Sequence, residues 1–475
     1  MTSTAKARVQ IIAAAAAGLG LRLWFVQYYA TSDTSDSTFY IELAWNWLKH
    51  SVYGFPVYGR LTPVDMRVPG YPAFLAAIFA VAGQSTRAVM LTQAVLDVVT
   101  CFVIALIAAW IAPRESRQRV GIAALWMAAL CPFTANFTAV VLTETLVTFL
   151  TAVAILALLE TDCGRAVDTE DAGPKMAKPM RWISAGLVTG FGTLVRPETP
   201  LLLFTGGLIL AAKWWKPKDW GKLVRAGVWL AVGLVLPLLP WAARNLRTLH
   251  EVQFLAPRYS ELPGEYTALG FNAWTNSWLW RFRDVYTTQW NLDDAEIQID
   301  DLPSYAFDSP QERQRISDLL DQYNDTLTMN KTLDDQFAEI AKERNERHPF
   351  RRYVKIPLLR CLTLWFTPRV SLLPVSGHFF PISSEWENDR GDFLTTLAMV
   401  AINLFYVGLA LAGAWMARGR PGWALLVLFI VVRTLFFTQI ETIEPRYMLE
   451  CFPAVIALGA PVFARRNQLS STGSG

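Results

Sequence analysis

Apolar residues in this chain fall in long runs separated by short polar or basic stretches. A membrane-spanning helix needs ~20 apolar residues, because the hydrocarbon core is ~30 Å thick and each helical residue rises about 1.5 Å. Runs of that kind begin near Val9, Ala88, Val120, Thr143, Val224, Phe393, Pro421 and Met448. A tighter pair, 182–195 and 199–212, is split by Arg196-Pro197-Glu198. Residues 73–82 are also wholly apolar, but at about ten residues they cover roughly half the core. Stretch 37–50 has a different period. Tyr40, Leu43, Ala44, Trp47 and Leu48 share one helical face, and Thr38, Glu42, Asn46 and Lys49 the other. That pattern predicts a helix lying flat in the interface.

Basic residues then set the orientation. If 73–82 does not span, Lys6 and Arg8, then Arg114, Arg117 and Arg119, the basic stretch 165–181, Lys213 to Arg225, Arg418 and Arg420, and Arg465 and Arg466 all fall on one side. Cytoplasmic loops carry such an excess of Lys and Arg. The pattern predicts an all-α polytopic membrane protein with about ten transmembrane helices and both termini inside. Segments 30–87 and 244–392 are then external. The organisation expected is an N-terminal transmembrane module over 1–243, holding the loop 30–87, an external region over 244–392, C-terminal helices over 393–467 and a disordered tail over 468–475. Within the external region, 311–347 reads as polar helix and 351–373 as a second interfacial element. Reading 351–373 as a span would put Arg465 and Arg466 outside, so that reading is rejected.

Composition agrees. Of 475 residues, 53% are hydrophobic and only 17% charged, a balance that excludes an ordinary soluble protein. The apolar run after Arg8 lacks a small-residue cleavage site and reads as an uncleaved first span. The five cysteines are scattered singly and predict no disulfide framework. No glycine-rich nucleotide fingerprint occurs, and no cytosolic loop is long enough for a nucleotide-binding domain.

Ionisable groups at membrane depth are costly and mark cavities or partners. Asp36 opens the amphipathic helix, where it, or Asp33, serves as a helix cap or as a general base at a cavity mouth. Arg67 precedes Pro69 and the short apolar helix, suiting a lipid phosphate or an ordinary headgroup contact. Glu144 stands at the external end of a span. Arg196 and Glu198 break two short spans on the same side, either as a mutual pair or as site residues. Asp97 lies inside a span, in helical phase with Gln93. Glu444-Pro445-Arg446-Tyr447 opens the last span externally. Trp274, Trp278, Trp280 and Trp290 suit sugar stacking or an aromatic interface belt. The four histidines show no metal spacing, and a divalent metal ion is left open as the one candidate cofactor.

As a set, these features resemble the GT-C superfamily of integral-membrane glycosyltransferases, nearest to bacterial members of glycosyltransferase family 39, which include aminoarabinose transferases and protein O-mannosyltransferases. The matching points run in order: Asp36-Ser37 with Tyr40; Arg67-Val68-Pro69-Gly70-Tyr71-Pro72; Leu142-Thr143-Glu144; Arg196-Pro197-Glu198; Pro240-Trp241 with Arg244-Asn245; and Glu444-Pro445-Arg446-Tyr447. Protein O-mannosyltransferases carry an Asp-Glu pair where this chain has Asp36-Ser37, and aminoarabinose transferases a lysine where it has Arg67. The resemblance implies two interfacial helices in the first external loop and a sugar donor on a polyprenyl phosphate. The acceptor is then a lipid, glycan or protein at the outer face of a bacterial inner membrane. Asp36 acts as base and transfer inverts C1. Arg67, Arg196 and Arg446 bind the donor phosphate, Glu144 and Asp33 hold the acceptor or a metal, and Tyr40, Tyr71 and Glu198 support. Membrane lipids are partners and nucleic acid is not. Two rival readings are a transporter or lipid flippase, which predicts repeated halves, and a noncatalytic membrane scaffold. No repeat occurs, and the ionisable groups gather on one side.

Overall fold

The computed structural model describes residues 3–32, 34–163, 178–216, 219–259, 266–379 and 382–464. Two compact units divide the chain. The first is Met1–Ser260, Pro368–Val432 and Leu449–Gly475; the second is Glu261–Thr367 with Arg433–Met448.

The first unit begins with the apolar helix α1 (Ser3–Tyr28) and the amphipathic helix α2 (Ser35–His50). Thr34 caps α2, its Oγ1 accepting the Ser37 amide at 3.1 Å. Asp36 in the first turn and Lys49 and His50 in the last complement the helix dipole. Ser51, in the left-handed region at φ 57°, ends it. An antiparallel hairpin follows, β1 (Gly54–Val57) and β2 (Arg60–Pro63), with Gly54 opposite Pro63. Tyr58 and Gly59 turn it, both at positive φ, the conformation a tight two-residue loop requires. The apolar helix α3 (Gly70–Ala82) comes next, then α4 (Thr86–Ile111), capped by Ser85 and stopped before Pro113. Tyr71, Leu75 and Phe79 of α3 share a core with Ala44 of α2 and Val89 and Met90 of α4. The short apolar run therefore packs along the unit's own surface.

The remaining N-terminal helices are α5 (Arg117–Ala129), α6 (Pro132–Asn136), α7 (Glu144–Leu159), α8 (Lys178–Thr193), α9 (Leu201–Lys213), α10 (Trp220–Val235) and α11 (Leu239–Thr248). α8 and α10 meet backbone to backbone. A Cβ on Gly186 would stand 2.3 Å from the Leu230 carbonyl oxygen, and one on Gly190 2.5 Å from that of Leu234. Small residues four apart permit that approach between apolar helices. Arg22 of α1 and Asp97 of α4 form a fully buried pair at 2.6 Å, and the guanidinium also reaches the Gly18, Ala128 and Ala129 carbonyls. Arg22 thus ties α1, α4 and α5 together.

The second unit contains α12 (Leu269–Asn276), α13 (Arg283–Tyr286), α14 (Pro310–Asn324), α15 (Lys331–Arg347) and α16 (Ile356–Phe366). Two helices thus occupy 311–347, each with its own cap. Ser309 accepts the Glu312 amide at 3.1 Å, and Asn330 accepts those of Thr332 and Leu333. Trp274 and Trp278 lie in this unit's core with Phe271 and Phe337. Their indoles are fully enclosed, which removes them as sugar-stacking or interface-belt residues. Around α16, Phe350, Tyr353, Leu358, Leu362 and Phe366 stay exposed at helical spacing. Such an apolar stripe suits a membrane surface.

The C-terminal helices are α17 (Ile382–Asn388), α18 (Arg390–Met416), α19 (Trp423–Phe437) and α20 (Phe452–Gly459). Among the described residues, five helical segments are long and apolar enough to cross a membrane: Ala5–Tyr28, Thr86–Ile111, Trp220–Thr248, Arg390–Met416 and Pro445–Phe463. A sixth exists if the bent pair Arg114–Ala129 and Pro132–Ala139, broken by 46°, counts as one. The apolar runs had suggested about ten. The difference lies in α7, α8, α9 and α19, which are 16, 16, 13 and 15 residues long. Thr143 directly precedes α7, and Arg196 and Pro197 lie between α8 and α9.

Candidate functional site

The first unit gathers polar groups of residues 34–70 beside an apolar cavity. Asp36 is carried by the first turn of α2, and Arg67 by the link between β2 and α3. The Arg67 guanidinium donates to Asp36 Oδ1 at 3.4 Å, with both side chains about one-third exposed. The same guanidinium lies over the Phe39 ring at 5.3 Å. Several bonds hold this link and the start of α3. The Tyr53 hydroxyl donates to the Arg67 carbonyl at 2.8 Å, and the Gly70 amide donates to Leu194 O at 2.6 Å. A Cβ on Gly70 would stand 2.5 Å from that carbonyl oxygen, so only glycine lets α3 start so close to the end of α8.

A second group surrounds Arg196. Its Nη2 donates to Glu144 Oε1 at 3.0 Å and its Nε to Thr143 Oγ1 at 3.0 Å. Glu198 and Glu450 each stand 3.6 Å from its Nη1. Arg196 therefore serves three carboxylates, where the sequence left open a simple pair with Glu198. Glu450, in the chain's last apolar run, was missed by the sequence reading. A carboxylate within an apolar run is the signal that marks it.

Two tyrosines stand between these groups. Tyr40 packs edge-on against Tyr71 at 5.2 Å. Enclosure pushes the Tyr40 phenol up to about 12, with Arg67 and Arg196 opposing and Asp36 and Glu144 adding. Tyr40 therefore feels both charged groups and stays protonated at neutral pH. Burial also pushes the Tyr71 phenol well up. Its hydroxyl donates to Gln93 Oε1 at 2.8 Å, and the Gln93 amide donates to Val140 O at 2.7 Å and Thr138 O at 3.2 Å. A buried amide thus ties α3 to α4 and to the segment 138–140.

Asp33 lies outside the described residues. The cap read as Asp36 or Asp33 is Thr34, which leaves Asp36 out of the capping bond. Arg446 belongs to the second unit, where it pairs with Glu444. The carboxylates of Glu144, Glu198 and Glu450 all converge on a guanidinium, so a divalent metal would have to displace Arg196. Among the described residues, no group of three or more histidine, cysteine or acidic side chains is placed to hold a metal ion.

Beside this site is a cavity of about 700 Å³, within the range of ligand pockets. Trp47, Tyr53, Phe74, Leu150, Phe191 and Trp241 are among its walls, and Arg244 is its one charged lining residue among those described. Arg244 is committed to structure. It donates to Tyr53 O at 2.6 Å and Val64 O at 2.9 Å, clamping both ends of the hairpin to α11. The cavity is built for apolar matter, and its wall residue Tyr53 bonds the Arg67 backbone.

No protein-family model and no curated protein matches the chain. Solved structures do, among them two oligosaccharyltransferases. One is an Archaeoglobus fulgidus oligosaccharyltransferase in complex with zinc and sulfate, with 14% identity over 95% of this chain and 49% of that one, and a TM-score of 0.47. The other is the archaeal oligosaccharyltransferase AglB from Archaeoglobus fulgidus in complex with an inhibitory peptide and a dolichol-phosphate. It shows 13% identity over 97% of this chain and 51% of that one, and a TM-score of 0.49. The chain spans about half the length of each.

Proposed function

We propose that the protein is a membrane glycosyltransferase that moves a sugar from a polyprenyl-phosphate donor to an acceptor at the outer face of the membrane. The observation that carries this reading is the Asp36–Arg67 pair beside an apolar cavity. A lipid-linked sugar phosphate needs an apolar wall for its chain, a cation for its phosphate and a base for the attacking hydroxyl or amine. These three lie within one loop and its neighbours.

In this reading the isoprenoid chain enters the cavity, and Arg67 leaves Asp36 for the donor phosphate. Asp36, so released, accepts the proton of the acceptor nucleophile as that group attacks C1 from the face opposite the phosphate. The C1–O bond breaks, C1 inverts, and the electron pair leaves with the polyprenyl phosphate. A preset guanidinium is worth most where that charge develops in a poorly hydrated site. Arg196 holds Glu144 and Glu198 at the acceptor side, and Tyr40 and Tyr71 keep the two groups apart. The shorter helices α7, α8, α9 and α19 also cross, giving about ten crossings with local thinning of the bilayer. No step is assigned to a metal.

The test uses the full chain in detergent or membranes with radiolabelled polyprenyl-phosphate sugars. Transfer or release by the wild type, lost in a folded Asp36→Asn variant, supports the reading. Full activity in that variant removes Asp36 as the base.

A further inference from the structure

A second cavity lies at the other end of the first unit. Gln93, near the start of α4, binds Tyr71 of the interfacial loop, whereas the end of α4 leads through Pro113 into α5. About 39 Å of helix separates the two ends of α4. At the far end a cavity of about 320 Å³ opens among Ser116, Val120, Trp415, Met416, Arg420 and Pro461. Val120 and Pro461 are buried, whereas Ser116, Met416 and Arg420 are half-buried.

Three observations point to one ligand chemistry. Stretches 113–120 and 415–420 carry Arg114, Arg117, Arg119, Arg418 and Arg420 against Glu115 alone. Arg420 makes no ion pair with a carboxylate among the described residues. Trp415 is 73% exposed in the last turn of the spanning helix α18, with the Arg418 guanidinium 5.8 Å from its ring centroid. An exposed tryptophan at the end of a span marks headgroup level, and basic pockets between spanning helices take anionic headgroups.

We propose that this cavity holds the phosphate headgroup of an anionic phospholipid. Arg420 and Ser116 face the phosphate, while Met416, Val120 and Trp415 cover the glycerol and first acyl carbons. The site is independent of the glycosyl-transfer reading and adds an occupant from the membrane itself.

Native mass spectrometry of the purified full chain tests this with added phosphatidylglycerol, phosphatidylcholine or inorganic phosphate. The wild type should prefer phosphatidylglycerol over phosphatidylcholine by roughly fivefold, the scale of one arginine at an anionic surface. Arg420→Ala should abolish that preference, and Arg418→Ala should keep most of it. Met416→Trp fills the cavity with Arg420 retained and should also abolish binding, which decides the matter if Arg420→Ala fails to fold. Preference unchanged in Met416→Trp, or equal loss in Arg418→Ala and Arg420→Ala, overturns the cavity. Competition by millimolar inorganic phosphate overturns the lipid as its occupant.

Discussion

The Arg67 guanidinium meets the Asp36 carboxylate at 3.4 Å across 31 residues of chain. Both side chains are about one-third exposed, so the pair adds at most about 1 kcal/mol to folding. The backbone around it is held much more firmly, by Tyr53 on the Arg67 carbonyl and Gly70 on Leu194. A weak pair on a rigid frame is one that a ligand can open.

Asp36→Asn should therefore separate activity from folding. Loss of a general base costs roughly 10²–10⁴-fold in rate, while the melting temperature should stay within a degree or two of wild type. Thr34→Ala is the matched control. It removes the cap and costs about 1 kcal/mol of stability. A melting loss in Asp36→Asn as large as that in Thr34→Ala would make Asp36 a structural residue.

Arg196 should behave in the opposite way. Glu144 and Glu450 are each about 3% exposed, so Arg196→Ala leaves buried carboxylates without their cation. Breaking a buried pair costs about 3–5 kcal/mol. Adding Glu144→Gln should restore part of the loss, because the double variant buries one charge fewer. Simple additivity of the two losses in a melting cycle would mean the side chains are uncoupled.

Gly70→Ala should destabilise the start of α3. Its new methyl would meet the Leu194 carbonyl oxygen at 2.5 Å and the Val195 side chain at 2.9 Å, closer than van der Waals contact allows. Overpacking of this kind costs about 1–3 kcal/mol. Protease should then cut between α2 and α3 faster than in wild type. An unchanged digestion pattern would show that α3 does not need this approach.

Acid should loosen the second unit through Asp308. Burial pushes its carboxyl up, but the Arg351 hydrogen bond, Arg344 and His348 outweigh that, and it lies below its ordinary 3.8. A depressed folded value adds stability that is full above the unfolded value and is lost as pH falls through the folded one. The unit should therefore weaken below about pH 4, and Asp308→Asn should flatten that part of the curve. Melting of both proteins from pH 6 to pH 3, followed by tryptophan fluorescence, checks this. Parallel curves would remove Asp308 as the acid-sensitive group.

Local pattern was enough to read much of this molecule. The period of apolar residues along 37–50 and the short run 73–82 became α2 and α3, because an amphipathic period and a half-length run each specify a helix without long-range help. The hairpin over 54–63 was overlooked. Its signal, a glycine in a two-residue turn, is short and follows a strand that contains Pro56. Asp36, Arg67, Glu144 and Arg196 stood out because ionisable groups beside apolar runs are costly.

Partners were beyond that pattern. No local rule sends Glu450 to Arg196, Asp97 to Arg22, or Gln93 to Tyr71, since each contact depends on which helix faces cross after packing. The same reason turned Trp274 and Trp278 from surface residues into core. A tryptophan reads alike in an interface belt and in an interior, and residues distant in sequence help enclose these two, Phe337 of α15 against Trp274 and Tyr305 against Trp278. The sequence by itself determined where apolar helices form and where charge is placed along them, because both follow from neighbours within a few turns. Tertiary structure alone decided which charges meet, which cavity they border and which aromatic rings are hidden, because those are set by contacts between residues tens to hundreds of positions apart.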